Sequence, residues 1–255
     1  MDDPKLEQGS RTDGAQGRAK TMFAKLLHAG SVEGRGIVPV PLEERTNRRT
    51  YSIFTLWFTM STNLLPIVTG MAATLSYGLS LLSASMVILF FSILCTIPVG
   101  YLATIGPKTG MRQMMQARYS FGYYLVGVPV TLNLATLTGF CIIDSVIGGQ
   151  TLSAVAGGSL SPNVGIVIIA LLGMVVCFCG FRVLHFYERY AWVPALIVII
   201  VATGCGGAKL TQQAPAPKAE APSVLSFAAL VAGFLIPWAA LSSDFVTYMD
   251  PKTPK

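Results

Sequence analysis

One apolar stretch near the start of the chain combines the length of a membrane span with a signal that breaks its own helix. The segment WFTMSTNLLPIVTGM, residues 57–71, lies inside an apolar run from about Ile53 to about Leu75, and about 20 apolar residues are enough to cross a bilayer. Ser61-Thr62-Asn63 falls near its middle, and Pro66 follows. Because proline lacks a backbone donor and clashes with the preceding turn, the sequence predicts a helix that kinks or opens here.

Lipid offers no hydrogen-bond partners to the backbone groups that an opened helix leaves free. A break at this depth is therefore tolerated only beside a cavity or packed protein. Two interpretations stay open from this stretch alone. One is a region that binds a polar solute, and the other is a structural helix kinked by proline, with hydroxyl groups bonded back to their own turn.

Composition indicates an integral membrane protein. Of its 255 residues, 53% are hydrophobic and only 12% are charged, with a mean hydropathy of +0.60, whereas soluble domains average about 25% charged residues. The five cysteines all fall inside apolar segments, which indicates small buried side chains and not a disulfide framework. The net charge of +6 is unevenly placed along the chain and requires no nucleic-acid partner.

The apolar segments predict an all-α transmembrane domain over residues 51–255, after a cytoplasmic tail and lead-in over 1–50 that is disordered for about its first 35 residues. Nine of the eighteen lysines and arginines precede the first span, and the connections 76–80 and 156–163 contain none. The positive-inside rule therefore predicts that both ends of the chain are cytoplasmic. Six spans are expected, at about 53–75, 81–105, 123–155, 164–184, 190–208 and 225–249.

Asp144 is the one charged residue in the third predicted span. A charged Asp at the centre of a membrane helix costs about 2.5–3.5 kcal/mol on insertion scales, so such a residue faces a cavity or a partner, or it is protonated. Asp144 is expected to hydrogen-bond a polar substrate, to carry a transported proton, or both. The alternative is a protonated structural residue bonded to a neighbouring helix. Gly148 and Gly149, one turn later, predict close approach of a second helix.

The sixth predicted span has a second interruption at Ile236-Pro237-Trp238, about 12 residues into the span. Two spans broken at matching depths are typical of inverted-repeat transporters, in which the half-helix ends point at substrate and coupling ion. Trp238 is a candidate for stacking on a planar ligand. Trp57 and Trp192, near span starts, are instead expected to anchor at the membrane interface, and Asp244 is expected to serve a helix end.

Enzymatic chemistry finds no support in the sequence. It contains no phosphate-binding glycine loop, no metal-ligand spacing and no plausible Ser/His/Asp set. His28 lies in the tail and His185 in a charged turn between spans. We therefore expect no catalytic residues, no metal and no cofactor.

Five motifs carry a family resemblance. They are RGIVPVPLEERTNRRT before the first span, LWFTMSTN within it, GPKTGMRQMMQARYSFG after the second, GFCIIDSVIGGQTL in the third and PWAALSSDFVTYM in the sixth. Over about residues 35–255 the chain resembles the nucleobase:cation symporter-1 family, in its fungal purine-cytosine permease branch. The resemblance implies a leucine-transporter-like fold of two five-helix inverted repeats, usually with twelve spans. It also implies uptake of nucleobases or related heterocycles driven by protons or sodium, with protons typical of fungal members.

The resemblance implies a first group of site residues at the break in the first span. Residues 61–64 match the region where the family binds substrate and ion. Ser61 and Asn63 are therefore candidate substrate residues, and Ser61 and Leu64 are candidates for ion coupling.

A second group comes from the third and sixth spans. Phe140 and Trp238 match aromatic residues that stack below and above the base in the family. Asp144 stands where the family usually has Asn or Gln and is a candidate for both substrate binding and ion coupling. A carboxylate only accepts hydrogen bonds whereas an amide also donates them, so this departure leaves the identity of the substrate open.

The function predicted from these residues is secondary active transport at the plasma membrane. The expected substrates are purine or pyrimidine bases such as cytosine, adenine, guanine or hypoxanthine, and the expected coupling ion is the proton. One alternative is a transporter of another heterocycle, such as a vitamin or an allantoin-like compound. Because six spans make only one repeat plus the first helix of the next, another is a truncated fragment that does not transport. The expected partners are the nucleobase, the bilayer, and the missing C-terminal half or another copy of the chain.

Overall fold

The computed structural model describes residues 36–178, 187, 189–209, 212 and 218–253, and every regular element among them is a helix. This agrees with the predicted all-α class; the predicted disordered tail, 1–35, lies outside the described residues. Short 3₁₀ segments cover Leu42–Glu44, Gly207–Lys209, Ile236–Ala240 and Ser242–Val246. The described α-helices are α1 (Thr50–Ser61), α2 (Leu64–Leu75), α3 (Leu81–Ala103), α4 (Ile105–Thr109), α5 (Gln113–Leu125), α6 (Gly127–Val155), α7 (Pro162–Phe178), α8 (Trp192–Gly206) and α9 (Ala221–Leu235).

Three helical stretches are long and apolar enough to cross a membrane: Leu81–Thr109, Gly127–Val155 and Ala221–Ala240. The pair α1 and α2 makes a fourth when it is counted as one bent span. α7 and α8 are apolar but shorter, with 17 and 15 residues. Four of the predicted spans therefore have helices of crossing length, and the full count of six stays a prediction.

The third predicted span differs from the structure at its start. Gly122 interrupts α5 with φ 80° and ψ 178°, a backbone conformation that glycine adopts without a Cβ clash. Residues 123–125 remain part of α5, and the spanning helix α6 begins at Gly127. The third span therefore begins at Gly127, later than the predicted start at about Tyr123.

The predicted burial of the cysteines is wrong for three of them. Cys95 is buried, whereas Cys141, Cys177 and Cys205 are exposed, each as a free thiol. These three lie on outward faces of apolar helices, where a small apolar side chain is as compatible with lipid as with a protein core.

The buried core lies where α2, α3 and α9 meet. Phe227 of α9 is fully buried, and its ring lies 5.7 Å from that of Tyr77, centroid to centroid. Small side chains let the helices approach closely. The second half of the broken first span is thus held against the helix of the sixth span. The buried members are Ala73, Leu79, Ala84, Val87, Phe227, Ala228 and Val231.

α6 and α7 cross at two glycines. A Cβ placed on Gly149 would lie 2.6 Å from the Cα of Ile166, and one on Gly165 would lie 2.5 Å from the carbonyl oxygen of Gly149. No side chain fits at these distances, so the two backbones touch. The close approach predicted from the glycine pair is confirmed.

The lead-in segment (36–49) is tied to the connection between α4 and α5 by one buried arginine. The Arg45 guanidinium donates hydrogen bonds of 2.6–3.1 Å to the carbonyl oxygens of Val40, Pro107, Lys108 and Thr109. Three of these carbonyls end α4, where no further turn of helix supplies donors. A cation at this end also complements the helix dipole.

The same segment is tied to the residues after the sixth span. The Asn47 amide donates to the Tyr248 carbonyl (3.1 Å), the Asp250 amide donates to the Asn47 carbonyl (2.9 Å), and Arg48 pairs with Asp250 at 2.7 Å. The backbone N–H of Lys252 and the Arg48 guanidinium hold the pKa of Asp250 below its usual range. The lead-in segment therefore joins two connections that lie more than 130 residues apart in the sequence.

Replacing Gly149 by alanine is expected to destabilise the fold by about 1–3 kcal/mol, because the new Cβ meets the backbone of α7. The matched control is Gly173→Ala on α7, where nothing lies within 4 Å of an added Cβ. Since alanine favours helix over glycine by about 1 kcal/mol, the control is expected to be neutral or stabilising. The measurement is the thermal unfolding midpoint in detergent micelles, and a Gly149 variant as stable as the control would contradict the close crossing.

Replacing Arg45 by lysine is expected to cost about 1–3 kcal/mol of stability, because an ammonium group cannot satisfy carbonyls on two sides at once and buried acceptors are left without donors. Arg49→Lys, at an exposed position of the same segment, is the control. Thermal unfolding again provides the measurement. Equal midpoints for the two variants would show that the buried guanidinium is dispensable.

Candidate functional site

The predicted break in the first span is present between α1 and α2, whose axes differ by 52°. Thr62 and Asn63 are non-helical, and α2 starts again at Leu64. Pro66 occupies the third position of α2, inside the first turn, where its missing N–H is tolerated. In a continuous helix that N–H would bond to the carbonyl of Thr62, so proline prevents the ladder from passing through the break.

The side chain of Asn63 forms one hydrogen bond with the backbone of each half-helix. Its Nδ2 donates to the Met60 carbonyl at 2.7 Å, and its Oδ1 accepts from the Leu65 amide at 3.0 Å. An asparagine amide has two donor hydrogens and two acceptor lone pairs, so one of each remains for a solute. Ser61 and Leu64, the end residues of the two half-helices, are exposed.

The sixth span changes helix type at the predicted interruption. α9 ends at Leu235 and continues as the 3₁₀ segment Ile236–Ala240, which contains Pro237, and then as the 3₁₀ segment Ser242–Val246. Leu241 between them has φ −129°. This span therefore unwinds over about its last ten residues, whereas the first span breaks within two.

An aromatic cluster lies against the unwound part of the sixth span. The rings of Phe140 and Trp238 are parallel within 7°, with centroids 6.0 Å apart. Phe234 meets Phe140 edge-on at 6.1 Å. Trp57 meets both Trp238, at 6.1 Å, and Phe245, at 5.8 Å, edge-on. Helices from the first, third and sixth spans thus contribute to one group of rings.

The aromatic cluster corrects one expectation and extends another. Trp57, predicted to anchor at the membrane interface, packs in the cluster instead. Phe234 lies four residues before Trp238, and sequence reasoning missed it because a phenylalanine in an apolar helix carries no signal of its own. Trp192, the other predicted anchor, meets Phe58 edge-on at 5.4 Å and donates its indole N–H to the Arg189 carbonyl.

Asp144 lies one helical turn after Phe140 on α6, and residues four apart share a helix face. Its side chain is exposed, and among the described residues it forms no hydrogen bond or ion pair. The alternative of an acid bonded to a neighbouring helix is therefore not seen in this part of the chain. The neighbouring Ser145 hydroxyl is already used, because it donates to the Cys141 carbonyl.

The predicted site residues fall into two groups. Phe140 and Trp238 are in ring contact, with Asp144 on the adjoining turn. Ser61, Asn63 and Leu64 flank the break, and among the described residues they form no hydrogen bond or ring contact with the first group. α2 packs against α6, so the break and the aromatic pair belong to neighbouring helices.

Asp244 has the role expected of it at a helix end. Its Oδ1 accepts a 2.6 Å hydrogen bond from the amide of Gln113, the first residue of α5. Ser243 beside it is fully buried and donates to the Leu102 carbonyl at 2.7 Å. These residues fasten the end of the sixth span to the end of α3 and the start of α5, and they form no ring contact in the aromatic cluster. Within the described residues, no group of His, Cys, Asp or Glu is arranged to hold a metal ion.

Comparison with known proteins identifies relatives over most of the chain. Purine-cytosine permease FCY21 of Saccharomyces cerevisiae is 30% identical over 243 residues, which is 93% of this chain and 46% of that protein. Purine-cytosine permease fcyB of Emericella nidulans is 29% identical, over 88% of this chain and 44% of that protein. The vitamin B6 transporter TPN1 of Saccharomyces cerevisiae is 26% identical, over 91% and 42%. The chain thus spans about half the length of the curated relatives it matches.

No solved structure matches the chain. The family described as permease for cytosine/purines, uracil, thiamine and allantoin matches residues 39–255, nearly the whole described region. Its members are multi-pass membrane transporters and not enzymes, and the family implies the leucine-transporter-like fold. The chain therefore belongs to this permease family, the nucleobase:cation symporter-1 family whose motifs it carries.

Proposed function

We propose that this chain takes part in proton-coupled uptake of purine or pyrimidine bases across the plasma membrane, with its N-terminal residues in the cytoplasm. The observation that carries the proposal is the parallel pair of Phe140 and Trp238, 6.0 Å apart. A flat base between two rings needs about 3.5 Å on each side, or about 7 Å in all. The pair therefore has to separate by about 1 Å or more, and the 3₁₀ segment that carries Trp238 is the part proposed to move.

Asp144 is proposed to meet the polar edge of the base. An ionised carboxylate only accepts hydrogen bonds, whereas a protonated one also donates. Taking up a proton therefore changes the pattern that the base encounters, which links proton binding to substrate binding at one side chain. An amide at this position neither gains nor loses a proton, so in such a relative the hydrogen-bonding pattern of the side chain would stay the same.

The break in the first span is proposed to serve the substrate and the coupling ion. Asn63 keeps one donor and one acceptor site for a solute beyond its two capping bonds. Ser61 and Leu64 end the two half-helices, and half-helix termini in transporters attract ions through their dipoles and free backbone groups. Together the break and the aromatic pair would enclose a small planar solute from two sides.

A second candidate substrate is another heterocycle, such as a vitamin. It is supported by the match to the vitamin B6 transporter and by the acid at Asp144 in place of the family's amide. Because a site built for one donor and acceptor pattern strongly rejects another, the two candidates are expected to be mutually exclusive in practice.

Uptake of radiolabelled cytosine, adenine, hypoxanthine and pyridoxine by permease-deficient yeast tests the proposal. The chain is expressed alone and as a chimaera in which it replaces the matching half of a purine-cytosine permease. Saturable base uptake by the chimaera is expected. An inactive chain beside an active chimaera would indicate that this half requires the rest of a permease. A chimaera that reaches the cell surface and takes up none of the four compounds would refute the proposal.

Replacing Phe140 or Trp238 by alanine in the active form is expected to raise KM for the base by about tenfold to a hundredfold, because stacking on an aromatic side chain contributes about 1–3 kcal/mol per base. Trp238→Tyr keeps a flat ring and is expected to retain most of the affinity. Trp192→Ala, outside the aromatic cluster, is the control. Uptake is normalised to the amount of protein at the cell surface, and unchanged KM values for both alanine variants would remove the pair from the site.

Replacing Asp144 by asparagine is expected to change base preference by tenfold or more and to flatten the dependence of uptake on external pH, because the side chain can no longer gain or lose a proton. The control is Thr138→Ala on the same helix, since the Thr138 hydroxyl bonds only to its own turn, at Leu134. Competition by unlabelled bases at two pH values provides the measurement. Identical selectivity and pH profiles would place Asp144 outside the transport pathway.

A further inference from the structure

A cavity separate from the aromatic cluster opens between the end of the second span and the start of the third. It has a volume of about 480 Å³, within the range of small-molecule sites. α5 forms one wall, and Val126, just before α6, and Val130, in its first turn, contribute to another. Because α5 joins the end of one spanning stretch to the start of the next, the cavity lies at the membrane surface and not at its centre.

The exposed face of α5 supports that placement. Tyr119, Tyr123 and Tyr124 are all exposed, and Tyr is enriched where membrane helices meet the headgroup layer. No apolar core covers these rings within the described part of the chain. The cavity therefore opens at the depth where the phosphate groups of lipids lie.

Two arginines give the cavity its charge. Arg112 and Arg118 line it together with one acid, Asp244, so the lining carries a formal charge of +1. Asp244 already accepts the amide of Gln113, which directs that carboxylate oxygen to the start of α5. The guanidinium of Arg118 lies 4.2 Å from the centroid of the Tyr123 ring, and within the described residues no carboxylate pairs with it. A half-buried arginine that stacks on a ring keeps planar N–H donors suited to a phosphate.

The rest of the lining is apolar. Met114 and Met115 from α5 face the cavity together with Val126 and Val130. A free inorganic anion would gain nothing from these side chains, whereas an amphiphile would bury its carbon chains against them. The lining thus combines a basic edge with an apolar floor.

We propose that this cavity binds the phosphate-bearing headgroup of an anionic phospholipid. Arg112 and Arg118 bind the phosphate, and the methionine and valine side chains contact the glycerol backbone and first acyl carbons. This inference does not depend on which substrate the chain transports. The bound lipid would stabilise the connection between α4 and α5, which Arg45 and Asp244 also hold in place.

The test uses the full chain, purified in micelles of an uncharged detergent to which increasing fractions of phosphatidylserine are added. Bound phosphatidylserine is expected to raise the thermal unfolding midpoint in a saturable manner. Arg112→Gln and Arg118→Gln are each expected to raise the half-saturating fraction about fivefold, since one basic residue near an anionic lipid contributes about 1 kcal/mol. Lys108→Gln removes the same charge from an exposed position of the same connection that does not line the cavity, and is expected to leave it unchanged.

Three results would overturn the proposal. Equal effects of Lys108→Gln and Arg118→Gln on the half-saturating fraction would show that the lipid is attracted by the positive surface charge in general and not by this cavity. An equal midpoint shift with phosphatidylcholine alone would show no preference for an anionic headgroup. Saturation by inorganic phosphate or glycerophosphoserine at the same concentration would show a site for free anions and not for a lipid. Arg118→Lys, which keeps the charge and loses the planar fork, covers the case in which a glutamine variant fails to fold, and it is expected to bind with intermediate affinity.

Discussion

Backbone groups inside a bilayer have to find their hydrogen-bond partners within the protein, and the first span of this chain depends on that requirement. Pro66 prevents the helical ladder from passing through the break, and Asn63 supplies an acceptor to one half-helix and a donor to the other. Each half-helix therefore finds a hydrogen-bond partner at the break within the chain itself. A polar, partly open backbone at membrane depth results, and the function proposed for the chain builds on it.

The aromatic cluster connects the two irregular spans. Trp57 lies on the half-helix before the first break, and Trp238 lies in the unwound segment of the sixth span. Phe140 on α6 completes the contact from a helix that runs unbroken over 29 residues. The three contributing spans are therefore in direct contact through their aromatic rings.

Helix-end electrostatics organise the junction between α4 and α5. The carbonyl end of α4 receives the Arg45 guanidinium, and the amide end of α5 receives the Asp244 carboxylate. Each charge matches the sign that the helix dipole favours at that end. Both partners come from distant parts of the sequence, so the connection between α4 and α5 acts as a junction for the lead-in segment and the end of the sixth span. The cavity lined by Arg112 and Arg118 lies beside that junction.

The sequence by itself determined the membrane class, the break at residues 61–66, the interruption at Pro237 and the close crossing at Gly149, because each follows from a local rule of hydropathy, proline chemistry or side-chain size. The break in the sixth span pointed to Trp238, and the resemblance to the permease family added Phe140. Only the tertiary structure decided that Trp57 joins the aromatic cluster, that Arg45 is buried against α4, and that three cysteines lie outside the core. These features depend on which helices meet, and apolar membrane helices carry little amphipathic signal of their partners, since lipid and protein interior are equally apolar.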